Sequence, residues 1–385
     1  MAQFGESGGA APQAGVLPPA TPPPARPRAR ALGLALGRLS PGPLNAITDV
    51  AGVRVGHVTL IDAAGPVRTG VTAVLPHGGN LFREKVVAAV HVINAFGKAT
   101  GTTQVAELGV IETPVILTNT LSVGAAFEGL VRDALRHNPE IGRGTGSVNP
   151  LVAECNDSYL NDLRGLWVRP EHVLAAIEGA SAGPVREGVV GAGTGMSCYG
   201  WKGGIGTSSR RVDATRGGYT LGVLVLANFG RARDLVIDGV RVGEVVTPPR
   251  QRLAAPPPAG SCIVLIATDA PASARQLGRL ARRAQTGLAR TGSFGEHGSG
   301  EYAVAWSTAR TVPHWPAGPT LSALELAEDG PVADALFQAV VEATEEAVID
   351  ALFTADTLDG RDGHIRHGLP VEEVLALLAE SAGRR

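Results

Sequence analysis

Cysteine is scarce in this chain of 385 residues, which contains Cys155, Cys198 and Cys262 alone. Three cysteines so far apart cannot form a disulfide framework, and none belongs to a CxxC pair or lies at zinc-ligand spacing from a histidine. The nine histidines are dispersed, without an HxH or HExxH pattern. We therefore predict free, buried thiols in a reducing compartment, no metal site and no cofactor.

Strong charge and long apolar runs are also missing. The formal net charge is −2 and charged residues make up 18% of the chain, so nothing indicates nucleic acid or an anionic membrane as a partner. The apolar run at residues 31–39 is too short to span a bilayer, and prolines interrupt the N-terminal stretch where a secretory signal would need a continuous apolar core. We expect residues 1–40 to form a disordered Pro/Ala-rich tail and the protein to be cytoplasmic.

Strands and amphipathic helices are both indicated by the remaining pattern. Short apolar or alternating runs predict strands, apolar residues at helical spacing predict helices, and Asp238-Gly239 predicts the turn of a hairpin. Their mixture indicates a layered α/β fold with helices over sheets. The predicted strands are 53–58, 70–76, 86–97, 113–120, 218–230, 262–271 and 301–309, and the predicted helices are 121–137, 170–180, 271–291, 331–355 and 371–381.

Two glycine-rich stretches resemble ligand loops without completing their patterns. Residues 191–209 include GAGTG, but no helix follows, so a dinucleotide fingerprint is disfavoured and a glycine-rich pocket wall is predicted instead. Residues 357–368, TLDGRDGHIRHG, lack the spacing and the closing glutamate of a calcium loop. We interpret the second stretch as a structural loop between two helices.

The stretch APPPAGSCIVLIATDAP joins a Pro-rich linker, residues 247–260, directly to a buried strand. Gly and Ser are common in linkers, so Gly260-Ser261 has an ordinary explanation. The alternative is self-cleavage, in which the Ser261 hydroxyl attacks the carbonyl of Gly260, the residue that obstructs it least. The new α-amino group of Ser261, with a reference pKa of about 7.7–8.0, could then act as or assist the general base.

Candidate partners for a serine nucleophile occur on both sides of Ser261. Ser299 and Glu301 stand two residues apart at the head of a predicted strand and project to the same side, where they could orient a proton path, although a solvated turn explains them equally well. Asn228 ends a buried strand, where its amide must cap a turn or face a pocket and could supply an oxyanion donor.

With these residues in view, the chain resembles the DmpA-like family of β-peptidyl and D-stereospecific aminopeptidases. The resemblance runs from about Asn45 to Leu378, in the family's order and with a spacer before the Gly-Ser pair. It is carried by NAITDVAGVRVGHVTL, GVTAVLPHGGN, NAFGKATG, ECNDSYLNDLRG, GAGTGMSCYGWKGGIGTSSR, VLANFG, GSCIVLIATDAP and HGSGEYAVAW.

The resemblance implies an αββα sandwich like that of N-terminal-nucleophile hydrolases, with different connectivity. It further implies one catalytic domain, cut between Gly260 and Ser261 into an α polypeptide, residues 41–260 after the tail, and a β polypeptide, residues 261–385. The two polypeptides stay together, and the family usually assembles as a homotetramer of such heterodimers.

Family roles carry over by position. Ser261 matches the nucleophile, Ser299 and Glu301 match the serine and the acid that support proton transfer, and Asn228 matches the oxyanion asparagine. Glu154 in ECND matches an acid that holds the free amino group of the substrate. Asn156 is a departure, because some members carry a tyrosine there, near the nucleophile.

The leading hypothesis is therefore a metal-free, self-processed serine aminopeptidase. It would release N-terminal β-, D- or small L-residues from short peptides, amides or esters through an acyl-enzyme on Ser261. One alternative is an acyltransferase similar to the ornithine acetyltransferases, which also self-cleave but use a threonine. Another is a non-catalytic protein that binds a small molecule.

Overall fold

Residues 16–249, 260–327 and 330–383 are described by the computed structural model of the chain. The helices are α1 (Thr102–Leu108), α2 (Val123–His137), α3 (Pro170–Glu178), α4 (Ala274–Arg290), α5 (Pro331–Phe353) and α6 (Val371–Ala382). The strands are β1 (Arg54–Ile61), β2 (Arg68–Leu75), β3 (Glu84–Ala95), β4 (Ala99–Thr100), β5 (Val110–Ile111), β6 (Val115–Asn119), β7 (Leu151–Cys155), β8 (Ser197–Cys198), β9 (Trp201–Lys202), β10 (Gly204–Arg211), β11 (Thr220–Asn228), β12 (Ser261–Thr268), β13 (Gly300–Pro313), β14 (Leu358–Asp359) and β15 (Ile365–Arg366).

Two mixed sheets form the centre of the molecule. The first has the strand order β1-β2-β6-β7-β4 and the second has the order β10-β11-β12-β13-β3-β5. Neighbouring strands are antiparallel except for the pairs β6–β7 and β12–β13, which are parallel. The parallel pair of the second sheet lies at its middle, and its strand β12 begins at Ser261.

Apolar side chains divide these sheets and helices into four layers. One core cluster lies between the sheets and joins Leu117 and Ala153 of the first to Ile263 and Trp306 of the second. Helices α2 and α3 cover the outer face of the first sheet, and α4 and α5 cover the outer face of the second. This arrangement confirms the expected αββα sandwich.

The boundaries of most elements follow local signals. Helix α4 begins with a capping box, in which the Ser273 hydroxyl accepts the Gln276 N–H at 3.4 Å and the Gln276 side chain accepts the Ser273 N–H at 2.9 Å. The sequence pattern does not predict the longer strands β7 and β10, the helix α1, or the two-residue strands β4, β5, β8, β9, β14 and β15. Strand β10 reads GIGTSSRR, a sequence of low strand propensity, but seven of its eight residues are buried, so its tertiary position overrides local preference.

The predicted hairpin at Asp238-Gly239 is wrong in its arms and correct in its turn. Ile237 and Val240 exchange two backbone hydrogen bonds, of 3.0 and 2.9 Å, and no strand flanks them. Asp238 and Gly239 have φ values of 49° and 73°, as a type I′ turn requires.

The expected disordered tail differs from the structure over residues 16–40, whereas residues 1–15 lie outside the described residues. Ala29 is fully buried, and Arg30 pairs with the buried Glu346 of α5 at 2.6 Å. Arg28 pairs with Asp350 of the same helix at 2.8 Å. Proline and alanine content indicates disorder, but Arg28 neutralises the buried carboxylate of Asp350, and Arg30 adds a second cation beside Glu346, which Arg210 also pairs.

A glycine lets α5 pack closely on the second sheet. A Cβ atom at Gly206 of β10 would lie 1.9 Å from the carbonyl oxygen of Ala347, so the helix backbone rests directly on the strand. Gly56 of β1 does the same for α3 on the first sheet, where a Cβ would lie 2.0 Å from the carbonyl oxygen of Ala176.

Gly206→Ala is therefore expected to destabilise the protein, because the added methyl group can fit only if α5 moves away from β10. Overpacking of this kind costs about 1–3 kcal/mol, measurable as a lower midpoint of chemical unfolding. The control is Gly124→Ala in α2, where a Cβ meets no atom within 4 Å and alanine favours the helix by about 0.5–1 kcal/mol. Equal losses in the two variants would contradict this account.

Candidate active site

Ser261 lies where three strands of the second sheet come together. It is the first residue of β12, and the register pairs it with Asn228, the last residue of β11, and with Gly300, the first residue of β13. Its side chain is buried, with 4% of the residue exposed. Backbone hydrogen bonds to β11 and β13 hold this serine at the N-terminal end of a central strand, directly after Gly260.

The side chain of Ser261 projects towards the first sheet. Residues of β12 alternate, with Cys262 in the core under α4 and α5 and Ile263 in the core between the sheets, so Ser261 shares the inner side with Ile263. The Asn156 N–H donates to Ser261 Oγ at 3.4 Å. Behind this hydroxyl lies the thiol of Cys155, whose pKa burial raises well above its usual value.

A small pocket of about 110 Å³ opens at Ser261. Among the residues singled out from the sequence, it brings together Glu154, Asn156, Gly260 and Ser261. The remaining lining residues are Phe96, Lys98, Thr120 and Gly298. Larger cavities, of about 370 Å³ beside His57 and about 360 Å³ beside Asn138, are not lined by Ser261.

Glu154 is held rigidly in this pocket by partners that the sequence did not reveal. Glu154 is buried, with 3% of its surface exposed. Its Oε1 accepts a hydrogen bond from the Lys98 N–H at 2.8 Å, and its Oε2 accepts one from the Thr120 hydroxyl. Thr120 follows β6 and Glu154 belongs to the parallel neighbour β7, so the first sheet brings them together. Both carboxylate oxygens are thereby oriented, and a fixed negative charge lies in the same pocket as the Ser261 hydroxyl.

Asn228 lies beside the pocket with its amide held at both ends. Its Oδ1 accepts the Ser197 N–H at 2.8 Å, and its Nδ2 donates to the carbonyl oxygen of Asn156 at 3.0 Å. A primary amide nitrogen carries two hydrogens, so one donor remains beyond the bond to Asn156. Asn228 is the antiparallel register partner of Ser261, so its side chain projects to the same side of the sheet as the Ser261 hydroxyl, although Asn228 is not among the residues that line the pocket.

Ser299 and Glu301 form a buried pair on the other face of the sheet. The Ser299 hydroxyl donates to Glu301 Oε1 at 2.8 Å. Glu301 is the register partner of Cys262 and therefore shares the outer side with that residue, not the inner side with Ser261 Oγ. Burial raises the pKa of the Glu301 carboxyl, and the hydrogen bond from Ser299 opposes that rise.

Gly260 fits between strands that leave no room for a side chain. A Cβ at this position would lie 2.6 Å from both the Asn228 carbonyl oxygen and Phe229 Cα. The Gly260 carbonyl oxygen accepts the Gly300 N–H at 3.3 Å. The peptide bond between Gly260 and Ser261 is thus clamped between β11 and β13, with its carbonyl polarised by a backbone donor. Most of the preceding linker, residues 250–259, lies outside the described residues.

The glycine-rich stretch at residues 191–209 does not line this pocket, so the predicted pocket wall is not part of the site at Ser261. Its residues instead form the edge strand β10 and the loop that supplies the Ser197 N–H to Asn228. The described ranges contain no cluster of three or more His, Cys, Asp or Glu side chains arranged to hold a metal ion. Nor does any helix in those ranges have the length and apolar character needed to cross a bilayer.

Four αββα layers with a serine at the head of a central strand define a variant of the N-terminal-nucleophile hydrolase fold. The chain belongs to peptidase family S58, whose family model matches residues 45–366. It is therefore a hydrolase of the aminopeptidase class, which confirms the resemblance to the DmpA-like aminopeptidases and disfavours both an acyltransferase and a non-catalytic binding protein.

Individual relatives agree with this assignment. The β-peptidyl aminopeptidase BapA of Sphingosinicella microcystinivorans is 44% identical over 91% of this chain and 92% of its own length. The PH0078 protein from Pyrococcus horikoshii OT3 superposes with a TM-score of 0.87 and 51% identity, over 92% of this chain and 99% of that protein. The L-aminopeptidase D-Ala-esterase/amidase from Ochrobactrum anthropi superposes with a TM-score of 0.85 and 38% identity, over 93% and 99% of the two chains, and is described as a prototype serine aminopeptidase with a new variant of the Ntn hydrolase fold.

Proposed function

We propose that this aminopeptidase activates itself by cutting its own chain between Gly260 and Ser261. The observation that carries the proposal is the position of that peptide bond, at the head of β12, with its carbonyl oxygen accepting the Gly300 N–H at 3.3 Å. Ser261 Oγ attacks the Gly260 carbonyl carbon, the C–N bond breaks, and the departing nitrogen takes up a proton to become the α-amino group of Ser261. Water then hydrolyses the resulting ester, which frees the hydroxyl and leaves a carboxylate on Gly260.

The mature enzyme uses the same hydroxyl on its substrates. Ser261 Oγ attacks the carbonyl carbon of the N-terminal residue, the amine or alcohol leaves, and water releases the residue from the acyl-enzyme. The Asn228 amide, with its second hydrogen free for the site, stabilises the oxyanion. The carboxylate of Glu154 binds the substrate's ammonium group at a fixed distance from the nucleophile, and the Asn156 N–H orients the hydroxyl at 3.4 Å.

The α-amino group of Ser261 acts as the general base, and Ser299 and Glu301 act on that amine. The side chains of this pair and the Ser261 hydroxyl project from opposite faces of the sheet, whereas the Ser261 nitrogen lies in the backbone between those faces. A carboxylate next to an amine favours the ammonium form and raises the pKa of the amine towards or above its reference of about 7.7–8.0.

The substrates are short peptides, amides or esters with an N-terminal β-, D- or small L-residue. Two relatives support this range, since one is named a β-peptidyl aminopeptidase and another an L-aminopeptidase D-Ala-esterase/amidase. The pocket of about 110 Å³ matches a short acyl group. We also propose a cytoplasmic location, which three buried free cysteines support, and a homotetramer of α/β heterodimers, which rests on the family resemblance.

Denaturing electrophoresis and mass spectrometry test the cleavage. The purified protein is expected to yield fragments of 260 and 125 residues, the second beginning at Ser261, because the Ser261 hydroxyl belongs to the residue that directly follows the Gly260 carbonyl. Ser261→Ala is expected to remain a single chain and to be inactive. A wild-type enzyme that is active and uncut, or a Ser261→Ala variant that still cuts, would refute the mechanism.

Glu154→Gln tests whether the Glu154 carboxylate binds the ammonium group of the substrate. The variant keeps the size of the side chain and loses the charge that binds the ammonium group, an interaction worth about 1.5–3 kcal/mol, so kcat/KM for peptides with a free N-terminus should fall about tenfold to a hundredfold. The matched control is Glu112→Gln, a buried carboxylate that pairs with Lys85 at 3.2 Å and does not line the pocket. An unchanged KM and kcat in Glu154→Gln would remove Glu154 from the binding site.

The pH dependence of Glu301→Gln tests the assignment of the base. Activity needs the neutral amine, so it is lost as the pH falls through the pKa of that amine. Removing the neighbouring negative charge lowers this pKa, and the acid limb of the pH–kcat/KM profile of the processed variant should move to lower pH. The control, Glu140→Gln, removes a carboxylate that pairs with Arg83 at 3.1 Å, does not line the pocket and is not among the groups that shift the pKa of Glu301, so it should leave the limb in place. A limb that moves up or stays in Glu301→Gln would contradict the amine as base.

A further inference from the structure

The loop at residues 357–368 contacts Ser197, the residue whose N–H is bonded to Asn228. It contains the two-stranded ribbon β14–β15, in which Leu358 pairs with Arg366. Arg366 is 8% exposed, so the loop directs a long cationic side chain into the molecule rather than into solvent. A buried guanidinium must have partners, and its partners here lead to Asn228.

A chain of three hydrogen bonds connects Arg366 to the carbonyl oxygen of Asn156. Arg366 Nε donates to Ser197 Oγ at 2.9 Å, and the Ser197 N–H donates to Asn228 Oδ1 at 2.8 Å. Asn228 Nδ2 then donates to the Asn156 carbonyl oxygen at 3.0 Å. The same residue, Ser197, thus receives a bond from Arg366 on its side chain and donates one to Asn228 from its backbone.

The Ser197 N–H and the Asn156 carbonyl oxygen together set the direction of the Asn228 amide. The two ends of a primary amide have nearly the same shape but opposite polarity, so the side chain can turn over unless a partner distinguishes them. The donor at Oδ1 keeps the oxygen at Ser197, and the acceptor at Nδ2 keeps the nitrogen at Asn156, whose own N–H donates to Ser261 Oγ. With the amide reversed, an oxygen would face the developing oxyanion and destabilise it instead of stabilising it.

Arg366 also contacts the segment that holds the other end of this amide. Its guanidinium lies 3.4 Å from the centre of the Tyr159 ring, three residues after Asn156. Tyr159 is stacked in turn on His364 of the same loop, with ring centres 4.7 Å apart. One arginine therefore contacts both the strand that supplies the donor to Oδ1 and the segment that supplies the acceptor for Nδ2.

We propose that Arg366 is a positioning residue for catalysis, which orients the Asn228 amide through Ser197 and Tyr159. The inference rests on the proposed oxyanion role of Asn228. It gives the loop at residues 357–368 a function in catalysis beyond connecting two helices, although Arg366 is not itself among the residues that line the pocket.

A double-mutant cycle on the processed enzyme tests the proposal. Asn228→Ala should lower kcat by about 10²–10³-fold, as loss of an oxyanion donor does. Arg366→Ala should lower kcat by about tenfold or more with KM within about twofold, because a misdirected amide weakens only the transition state. In the Asn228→Ala background, Arg366→Ala should cause no further loss, since no amide remains to be oriented.

The control for a loosened loop is Arg361→Ala. Arg361 belongs to the same loop and donates to the Ser158 carbonyl oxygen at 2.8 Å, but it has no bond to Ser197. Its loss should lower thermal stability and leave kcat within about twofold. If Arg366→Ala does not fold or process, Ser197→Ala carries the same test, because it removes the acceptor of Arg366 and keeps the backbone N–H.

The possible results separate this inference from the function on which it rests. If Asn228→Ala lowers kcat but Arg366→Ala and Ser197→Ala do not, the positioning role is refuted and the proposed function stands. Independent, multiplicative losses in the double variant would also refute it, because they would show that Arg366 acts elsewhere. If Asn228→Ala leaves kcat unchanged, the oxyanion assignment itself fails, and the role of Arg366 fails with it.

Discussion

The backbone ladder at the start of β12 is the constraint on which the candidate site depends. An antiparallel register places Asn228 against Ser261, and a parallel register places Gly300 against the same residue. Main-chain atoms make these hydrogen bonds. The backbone positions of Ser261, of the peptide bond before it and of Asn228 are therefore fixed without a contribution from side chains. A serine in the middle of a strand would have both of its peptide bonds within the hydrogen-bonded ladder. Ser261 instead lies at the first position of β12, where the pocket opens.

The backbones pack closely at the start of β12, and this packing requires glycine at two positions. A Cβ at Gly260 would clash with β11, and a Cβ at Gly300 would lie 2.9 Å from both Gly97 Cα and the Phe96 carbonyl oxygen. The alternation of side chains along β12 and β13 then separates two tasks. The hydroxyl of Ser261 faces the pocket between the sheets, while Glu301 lies on the opposite face in a drier setting that raises its pKa.

Helix packing on the second sheet supports the candidate site without contacting it directly. Helix α5 packs on β10 and β11 and is buried along most of its length, including carboxylates that only cations can neutralise. Arg210 supplies one such cation, 2.6 Å from Glu346, and Arg28 and Arg30 of the N-terminal segment supply others. Burial of ion pairs adds little net stability, but removing one partner leaves a buried charge that costs about 3–5 kcal/mol, so these pairs specify how the segment and the helix fit together.

Local patterns in the sequence determined the helices α2 to α6, most of the long strands and the Gly260-Ser261 junction, because periodicity and turn chemistry are properties of neighbouring residues. They also indicated Ser261, Asn228, Ser299 and Glu301 as candidates. Only the tertiary structure decided which of these share a face, that β7 and β10 are strands, and that the N-terminal arginines are buried. Thr120, Ser197 and Arg366 had no sequence signal, because a side chain that supports a site acts through contacts between residues far apart in the chain, and those contacts exist only once the sheets have paired.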